Sequence, residues 1–382
     1  MKIMFNCLTM EKGGAERVIT TLANVFSVDN DVVVLSLTRS KDAYKLNSSV
    51  KRLHVDSTSY KNDGYTKKIL RRLSLRRLVG FCHIIKVEKP DVIISFLPEP
   101  SIRLMFIKRF SYKVRNIPTI ISIRSDPEKE YHNRFLKFIV KRLYRNVDGM
   151  VYQTEDAKKY FKGFISTKKQ VIIQNPVDKN ILMKPKDDEE RRNVIVSVGR
   201  LEKNKNQELL IRAFGDVIEN GGCDYILEIF GEGSLRAHLQ DLIKELGLDN
   251  KVFLKGQIDN VIQEINNARI FVLSSLYEGM PNALMEAMAM GLPCISTDCP
   301  CGGPRALIRD GENGILTEND NEEALKGAIN RLVDNVNMRK RIAKKALEIR
   351  ETNSISLISK SWMEIINDAL EKEGRGGCRA SA

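Results

Sequence analysis

The chain has 382 residues, with 62 Lys and Arg against 49 Asp and Glu, which gives a net charge of +13. This length exceeds what one hydrophobic core usually supports, so two domains are expected. No apolar run reaches the roughly 18 residues of a membrane-spanning helix, and this excludes a transmembrane helix from the prediction. The positive charge favours a polyanion, an anionic membrane surface or phosphorylated ligands as partners.

The chain starts with a short apolar run that turns polar too quickly for a signal peptide, and we expect a cytoplasmic protein. Seven cysteines are scattered along it, and the close pair Cys299 and Cys301 has no second pair at metal-binding spacing. The sequence therefore predicts reduced cysteines and no zinc site. Residues 372–382 show no hydrophobic periodicity and are expected to be a disordered tail or a cloning remnant.

The first half of the chain alternates strand-like and helical patterns. Continuous apolar runs rich in Val and Ile predict strands buried on both faces of a parallel sheet. These runs are Lys2–Leu8, Val32–Leu37, Asp91–Phe96, Thr119–Ile123 and Gly149–Gln153. Helical segments such as Ala15–Phe26 and Arg134–Arg145 lie between them, as in a series of βα units. A turn-rich break at 174–177 and a charged stretch at 184–192 predict an interdomain linker.

The pattern then restarts, with predicted strands Val194–Val198, Tyr225–Phe230, Val252–Leu254, Ile270–Ser274, Pro293–Ser296 and Gly314–Leu316. The predicted helices include Leu235–Leu246, Pro281–Met290 and Glu322–Val333. We predict an α/β fold of two doubly wound, Rossmann-like parallel-sheet domains, residues 1–175 and 180–353, that face each other across a cleft. A final helix, about 354–371, is expected to return to the first domain. Ligands of such sheets bind beyond the carboxyl ends of the strands, so motifs that follow strands are site candidates.

The first motif is the glycine pair Gly13 and Gly14, which follows the first strand and opens a helix. Glycines at a helix start let a phosphate approach the free backbone N–H groups and the positive end of the helix. The full dinucleotide fingerprint of three spaced glycines is absent. A flexible turn explains the pair equally well.

The second motif, Gly199 to Lys205, follows the first strand of the second domain. Arg200 and Lys205 can stabilise the negative charge that gathers on a departing nucleotide diphosphate. The alternative is a solvated charged loop. Gly231 follows the next strand in a Gly-x-Gly pattern, for which ordinary turn chemistry is an equal explanation.

The third motif runs from Glu278 to Glu286. Pro281 suits a first helical turn, so Gly279, Met280, Pro281, Asn282 and Ala283 are predicted to form an anion site of free backbone N–H groups. Glu278, just before that start, can accept hydrogen bonds from sugar hydroxyls. Glu286, further into the helix, can hold a second group such as a ribose. Alternatively, Glu278 only complements the helix dipole.

The sequence offers no carboxylate cluster for a divalent ion. Its one Asp-x-Asp match, Asp29 to Asp31, lies in a polar turn. The charge of the leaving group must then be met by Arg200 and Lys205, which predicts chemistry without a metal ion or another cofactor.

Together these residues resemble the retaining glycosyltransferases of the GT-B fold, family GT4 in particular, over nearly the whole chain. The most specific part is the Glu-x7-Glu motif of Glu278 and Glu286 combined with Gly199-Arg200 and Lys205. The Gly13-Gly14-Ala15-Glu16-Arg17 start resembles the subset that extends lipid-linked oligosaccharides, such as bacterial N-acetylgalactosaminyl- and galactosyltransferases of surface-polysaccharide and O-antigen assembly.

The resemblance implies a role for each matching position. Arg200 and Lys205 would hold the donor diphosphate, Glu278 the donor sugar hydroxyls and Glu286 the ribose. Ile258 would contact the base through its backbone. The loop of Gly13 and Gly14 would lie near the donor phosphate and the acceptor.

Arg124 departs from the family pattern, because many relatives carry a histidine after the fourth strand of the first domain. Arginine cannot act as a general base, so the role expected of Arg124 is electrostatic or phosphate-binding.

A basic segment precedes it in the chain, formed by Lys67, Lys68, Arg71, Arg72, Arg76 and Arg77. At about 100° per residue, all of these except Arg77 fall within roughly half of a helix circumference. Such a face can lie on an anionic membrane or hold a diphosphate, although a solvated helix face is the commoner case. A second basic stripe comprises Arg134, Lys137, Lys141 and Arg145. No nucleic-acid-binding signature accompanies this charge.

The predicted function is retaining transfer of a hexosyl or N-acetylhexosaminyl group from a UDP-sugar to a polyprenyl-diphosphate-linked saccharide. The protein would act as a peripheral protein on the inner face of the cytoplasmic membrane. Two alternatives stay open: the same chemistry on a soluble or lipopolysaccharide-core acceptor, and a non-catalytic module that binds a nucleotide sugar or an anionic polymer.

Overall fold

Two parallel β-sheets dominate the computed structural model of this protein. The model describes residues 1–55, 75–165, 169–178, 182–221 and 224–374. The chain divides into a first unit, Met1–Pro176 with Ser356–Ala382, and a second unit, Val177–Ile355. Lys67, Lys68, Arg71 and Arg72 of the basic segment and the tail from residue 375 lie outside the described residues.

The sheet of the first unit has seven strands in the order β3-β2-β1-β4-β5-β6-β7, all paired in parallel. Their bounds are β1 Lys2–Cys7, β2 Asp31–Ser36, β3 Lys51–His54, β4 Val92–Phe96, β5 Thr119–Ser122, β6 Gly149–Tyr152 and β7 Gln170–Ile172. The five predicted strands are all present, because a run of Val and Ile is stable where both faces of the sheet are covered. The edge strands β3 and β7 were not predicted: β3 is polar and half-exposed, and β7 has only three residues.

The helices of the first unit follow its strands in βα order. Their bounds are α1 Gly14–Phe26, α2 Leu75–Glu88, α3 Pro98–Phe110, α4 Tyr112–Arg115, α5 Pro127–Glu130, α6 Arg134–Leu143 and α7 Glu155–Tyr160. Arg76 and Arg77 of the basic segment fall in the first turn of α2. A 3-10 turn, Tyr144–Asn146, ends α6 two residues before the predicted end of that helix.

The second unit repeats the architecture with six parallel strands in the order β10-β9-β8-β11-β12-β13. The strands are β8 Arg192–Val198, β9 Ile226–Phe230, β10 Val252–Gly256, β11 Ala268–Leu273, β12 Cys294–Thr297 and β13 Ile315–Thr317. The helices are α8 Gln207–Gly221, α9 Arg236–Glu245, α10 Val261–Asn267, α11 Asn282–Ala289, α12 Gly303–Leu307, α13 Glu322–Asp334, α14 Val336–Ala346 and α15 Ile349–Thr352.

The last helix, α16 Ile355–Gly374, packs into the core of the first unit. Trp362 is fully buried and its ring stacks on Phe96 with 5.8 Å between the ring centroids. Ile365 and Ile366 are buried beside it. The only tryptophan of the chain therefore fixes its C-terminal helix beneath strand β4.

Each sheet reverses its strand order once, between β1 and β4 in the first unit and between β8 and β11 in the second. In doubly wound sheets the loops that leave such a switch point diverge to opposite faces and leave a crevice for ligands. The predicted fold of two doubly wound parallel-sheet domains is confirmed. Among the described residues, no helix is long and apolar enough to cross a membrane.

Candidate functional site

Lys205 and Glu278 meet at the switch point of the second unit. Lys205 lies in the loop that follows β8, and Glu278 lies in the loop that follows β11. Because β8 and β11 are parallel neighbours, the two loops emerge side by side. The Lys205 ammonium donates to Glu278 Oε1 in an ion pair whose side chains are 19% and 12% exposed. Two residues that were predicted from separate motifs thus form one charged cluster.

Ser275 donates a hydrogen bond to the Glu278 carboxylate of this pair. Its Oγ donates to Glu278 Oε1 at 2.7 Å, and its own carbonyl accepts a hydrogen bond from Thr297 Oγ1 at 2.6 Å. Ser275 is fully buried, so the rotamer of Glu278 is fixed from the side of the sheet. The sequence analysis missed this residue; its only signal is a serine at a strand end, three positions before Glu278.

The backbones of the two loops are also joined. Leu276 N donates to Asn204 O at 2.8 Å, and Ser274 Oγ donates to Lys205 O at 3.1 Å. Asn206 then reverses the chain in a left-handed conformation with φ of +49°. These contacts fix where the lysine side chain begins, because its backbone cannot move without breaking them.

Gly231 and Gly199 form a tight backbone contact that supports the lysine loop. Gly199 N donates to Phe230 O at 3.0 Å, and Gly231 N donates to Gly256 O at 2.8 Å. Gly231 adopts φ of +142°, and a Cβ there would lie 1.9 Å from Gly199 O. The sequence could not separate Gly231 from an ordinary turn; the structure shows that only glycine fits between the two loops.

Arg200 lies on the same loop with its side chain exposed. Its carbonyl accepts a hydrogen bond from Gln207 Nε2 at 2.9 Å, which fixes the backbone. Hydrogen bonds from Ser234 lower the pKa of the neighbouring Glu202, and the Arg200 charge lowers it further. The exposed guanidinium therefore lies close enough to the Glu202 carboxylate to act on its charge.

Helix α11 starts one residue later than predicted. Pro281 is the N-cap residue in an extended conformation, and the helix begins at Asn282. The residues before this helix start pack closely against Gly303, where a Cβ would lie 2.2 Å from Gly279 O and 3.0 Å from Pro281 Cδ. The first backbone N–H groups of α11 have no intrahelical acceptors, so the anion site stays a prediction, now at a helix that begins at Asn282.

The remaining predicted donor residues line the same end of the sheet. Ile258 and Ala283 are half-buried and pack against the apolar cluster that contains Met280. Glu286 is buried in the second turn of α11. The structure therefore brings an apolar wall and two carboxylates to the end of the sheet where Lys205 lies.

In the first unit, the glycine pair Gly13 and Gly14 at the start of α1 lies beside the carboxylate of Glu16. Gly13 is extended, with φ of −163°, a conformation that any residue adopts. A Cβ at Gly13 would lie 2.2 Å from Glu16 Oε2, so the carboxylate of Glu16 lies directly against the backbone of Gly13. The carboxyl group of Glu16 thus lies at the helix start that was predicted to be near a phosphate, and burial raises its pKa.

This raised pKa has a consequence for stability. We expect Glu16→Gln to gain stability relative to the wild type as the pH rises from below 4.5, the ordinary value for Glu, to 7. The sign follows because the folded protein binds the Glu16 proton more tightly than the unfolded chain does, so wild-type stability falls as that proton is lost. Urea unfolding at pH 4 and pH 7 measures the difference, and an advantage of equal size at both pH values would contradict it.

Arg124 is a half-buried cation that lies two residues after the end of β5. Its guanidinium lies 5.3 Å from the centre of the Phe96 ring and donates hydrogen bonds to Asn175 Oδ1 and, at 3.5 Å, to Ser122 Oγ. Burial lowers the pKa of Arg124 to about 9. Its Nε is buried without a hydrogen-bond partner. One donor of the guanidinium therefore remains unsatisfied, which is uncommon for a buried polar atom.

Comparison with known proteins covers both units. Residues 178–348 match the model of glycosyl transferases group 1, and residues 12–180 match the model of glycosyltransferase family 4. A Campylobacter jejuni protein, N-acetylgalactosamine-N,N'-diacetylbacillosaminyl-diphospho-undecaprenol 4-alpha-N-acetylgalactosaminyltransferase, is 30% identical over 351 residues, which are 88% of this chain and 92% of that protein. The chain belongs to the family 4 glycosyltransferases.

Another Campylobacter jejuni relative of this family 4 glycosyltransferase is 28% identical over 366 residues, 96% of this chain and 98% of its own. It is named GalNAc-alpha-(1->4)-GalNAc-alpha-(1->3)-diNAcBac-PP-undecaprenol alpha-1,4-N-acetyl-D-galactosaminyltransferase. Among solved structures, a mutant S. aureus TarM in complex with Fondaparinux, alpha-GlcNAc-glycerol and UDP matches with a TM-score of 0.76 and 18% identity. That match covers 96% of this chain and all of TarM. The two Rossmann-like units are those of the GT-B fold.

Proposed function

We propose that this glycosyltransferase moves a hexosyl or N-acetylhexosaminyl group from a UDP-sugar to a polyprenyl-diphosphate-linked saccharide, with retention of the anomeric configuration and without a metal ion. The observation that carries the proposal is the Lys205–Glu278 pair at the switch point, beside the start of α11. The names of the two Campylobacter relatives, both of which act on undecaprenol-linked saccharides, support the acceptor class. The UDP in the TarM structure supports the donor class.

In the donor half, the cations Lys205 and Arg200 and the first backbone N–H groups of α11 stabilise the diphosphate as it leaves. Glu278 accepts hydrogen bonds from hydroxyls of the donor sugar. Glu286 holds the ribose, and Ile258 contacts the base through its backbone. Since Ser275 fixes Glu278 before any ligand binds, little reorganisation is needed when the donor enters.

The chemistry requires one bond to form and one to break. An acceptor hydroxyl oxygen bonds to the anomeric carbon on the face from which the diphosphate leaves, while the bond from that carbon to the diphosphate oxygen breaks. The hydroxyl proton passes to the departing phosphate oxygen, so no protein nucleophile is assigned. The diphosphate charge is met by fixed cations, and a divalent ion is not needed for it.

In the acceptor half, Arg124 supplies a fixed positive charge rather than a base. Its contacts with Phe96 and Asn175 support this role, because they hold the guanidinium in one orientation. Gly13 and Gly14 form the loop near the phosphates. The positive charge of the segment from Lys67 to Arg77 attracts the enzyme to an anionic membrane surface, and the enzyme works in the cytoplasm on the inner face of the membrane.

A donor panel tests the proposal. UDP- and GDP-sugars are incubated with short-chain prenyl-diphosphate saccharides, with and without a chelator, and the anomeric configuration of the product is read by NMR. We expect transfer from a UDP-sugar, an α-linked product from an α-linked donor, and equal rates in chelator. An inverted product or loss of turnover in chelator would contradict the retaining or the metal-free part, respectively.

The same panel separates the alternatives. Transfer to a soluble or lipopolysaccharide-core saccharide, but to no prenyl-diphosphate acceptor, would replace the acceptor class. Donor binding without transfer to any acceptor and without slow donor hydrolysis would point to a non-catalytic binding module.

A further inference from the structure

Helix α6 of the first unit exposes two phenylalanine rings. Phe135 is 71% exposed and Phe138 is 62% exposed, whereas Val140 and Tyr144 on the opposite side are buried in the unit. The helix is thus anchored by one face and presents aromatic rings on the other. Exposed aromatic rings that lie close together favour a partner, because burial of their apolar surface is favourable.

The same outer face carries only positive charge. The sequence from 132 to 147 contains Arg134, Lys137, Lys141, Arg142 and Arg145 and no acidic residue. At about 100° per residue, Phe138 lies in the middle of this basic arc and Phe135 at its edge. Within the part of the chain that the structure describes, none of these five cations forms an ion pair.

Aromatic contacts hold part of this charge in place. Lys137 Nζ lies 4.8 Å from the centre of the Tyr160 ring, and Lys141 Nζ lies 5.0 Å from that of Phe164. The ammonium groups are oriented, yet their charge is not neutralised by a carboxylate. Phenyl rings flanked by unneutralised cations match an anionic bilayer, where rings enter the acyl boundary and cations meet lipid phosphates.

We propose that the outer face of α6 docks this enzyme onto an anionic lipid bilayer through Phe135 and Phe138. The proposal deepens the proposed function, since a polyprenyl-linked acceptor is presented by a bilayer. It concerns a different stretch of sequence from the basic segment of residues 67–77. It adds two phenylalanine rings to the second basic stripe of Arg134, Lys137, Lys141 and Arg145.

The helix is also connected to the acceptor half. Arg124 precedes Arg134 by ten residues, and between them Tyr131 is buried. The Tyr131 ring meets Tyr144, which follows α6, edge to face at 6.5 Å. A docked α6 therefore holds the end of β5, where Arg124 lies, at a fixed depth relative to the lipid head groups.

Vesicle binding tests the docking surface. The wild type is expected to sediment with vesicles of phosphatidylglycerol and phosphatidylcholine and not with phosphatidylcholine alone. The double variant Phe135→Ser and Phe138→Ser should bind the anionic vesicles at least about tenfold more weakly. Phe253→Ser is the matched control, because Phe253 is a 37% exposed ring of the second unit; its binding should equal that of the wild type. Equal loss in both, or no loss in the double variant, would overturn the proposal.

The depth to which α6 enters the bilayer is measured with a tryptophan introduced at position 138. In Phe138→Trp, brominated lipids should quench the added fluorescence and shift its emission to the blue. The native Trp362 is fully buried, so it reports the integrity of the fold and stays unquenched. Phe253→Trp should also stay unquenched. An unquenched indole at position 138 would overturn the proposal. A wild type that is a dimer and a double variant that is a monomer would also overturn it, because the face would then be a contact between copies of this chain.

Activity separates this proposal from the proposed function. The double variant should transfer sugar to a water-soluble short-chain acceptor at the wild-type rate and lose transfer to a vesicle-embedded acceptor. If the wild type binds vesicles through Phe138 but transfers sugar to no lipid-linked acceptor, the docking proposal is supported and the proposed acceptor class is wrong. Transfer to vesicle-embedded acceptor that is unchanged in the double variant would overturn docking alone.

Discussion

Lys205→Ala is expected to lower the turnover of the UDP-sugar about 100- to 1,000-fold, the usual cost of removing one preorganised stabiliser of transition-state charge. The ammonium is the only cation of the loop that the structure fixes against Glu278 among the described residues, so its charge is in place before the donor arrives. The fold should persist, because the backbone bonds of this loop do not involve the side chain. Steady-state kinetics and circular dichroism measure the two expectations.

Lys203→Ala is the matched control for this prediction. A short 3-10 turn, Lys203–Lys205, follows β8, and Lys203 lies at its start, two residues before Lys205, and is exposed. Its removal should change turnover by less than about threefold, in the range of ordinary surface substitutions. Ser275→Ala should give an intermediate loss of about five- to tenfold, since it removes one hydrogen bond to Glu278 worth about 1 kcal/mol. If Lys205→Ala and Lys203→Ala behave alike, the donor-site assignment is wrong.

Central strands and their order along the chain could be predicted from the sequence, because a strand that is buried on both faces is a continuous run of apolar residues. Strand β4, for example, is fully buried over all five residues and consists of apolar residues apart from Ser95. The edge strand β3 is not a continuous apolar run, because it has a neighbouring strand on one side only and is partly exposed. Local patterns therefore predict the centre of each sheet better than its edges.

The residues of the proposed donor site could be named from the sequence, but the contacts between them could not. Lys205 and Glu278 each follow a strand, and this position alone made them candidates. That they touch depends on β8 lying beside β11, which is a property of the whole sheet order. The support of Glu278 by Ser275 and the contact of Glu16 with the start of α1 are local, since each joins residues three positions apart, but residue type was the only signal for either.

Gly231→Ala is expected to weaken donor binding although it replaces no charged residue. Its φ of +142° belongs to a region that essentially only glycine adopts, at a cost of about 1–3 kcal/mol for another residue. The added methyl group would also lie 1.9 Å from Gly199 O, so the loop that carries Lys205 must shift. We expect lower stability to urea and a KM for the donor that rises at least about tenfold, the equivalent of 1.4 kcal/mol.

Gly327→Ala separates this effect from the general consequence of replacing a glycine. Gly327 lies inside α13, and a Cβ there would meet nothing within 4 Å. Alanine in a helix interior should stabilise the protein by about 0.5–1 kcal/mol and leave the donor KM unchanged. A Gly231→Ala enzyme with the wild-type KM would show that the contact between Gly231 and Gly199 does not position Lys205. The donor site would then depend on the loop after β11, through Glu278 and the start of α11, more than on the loop after β8.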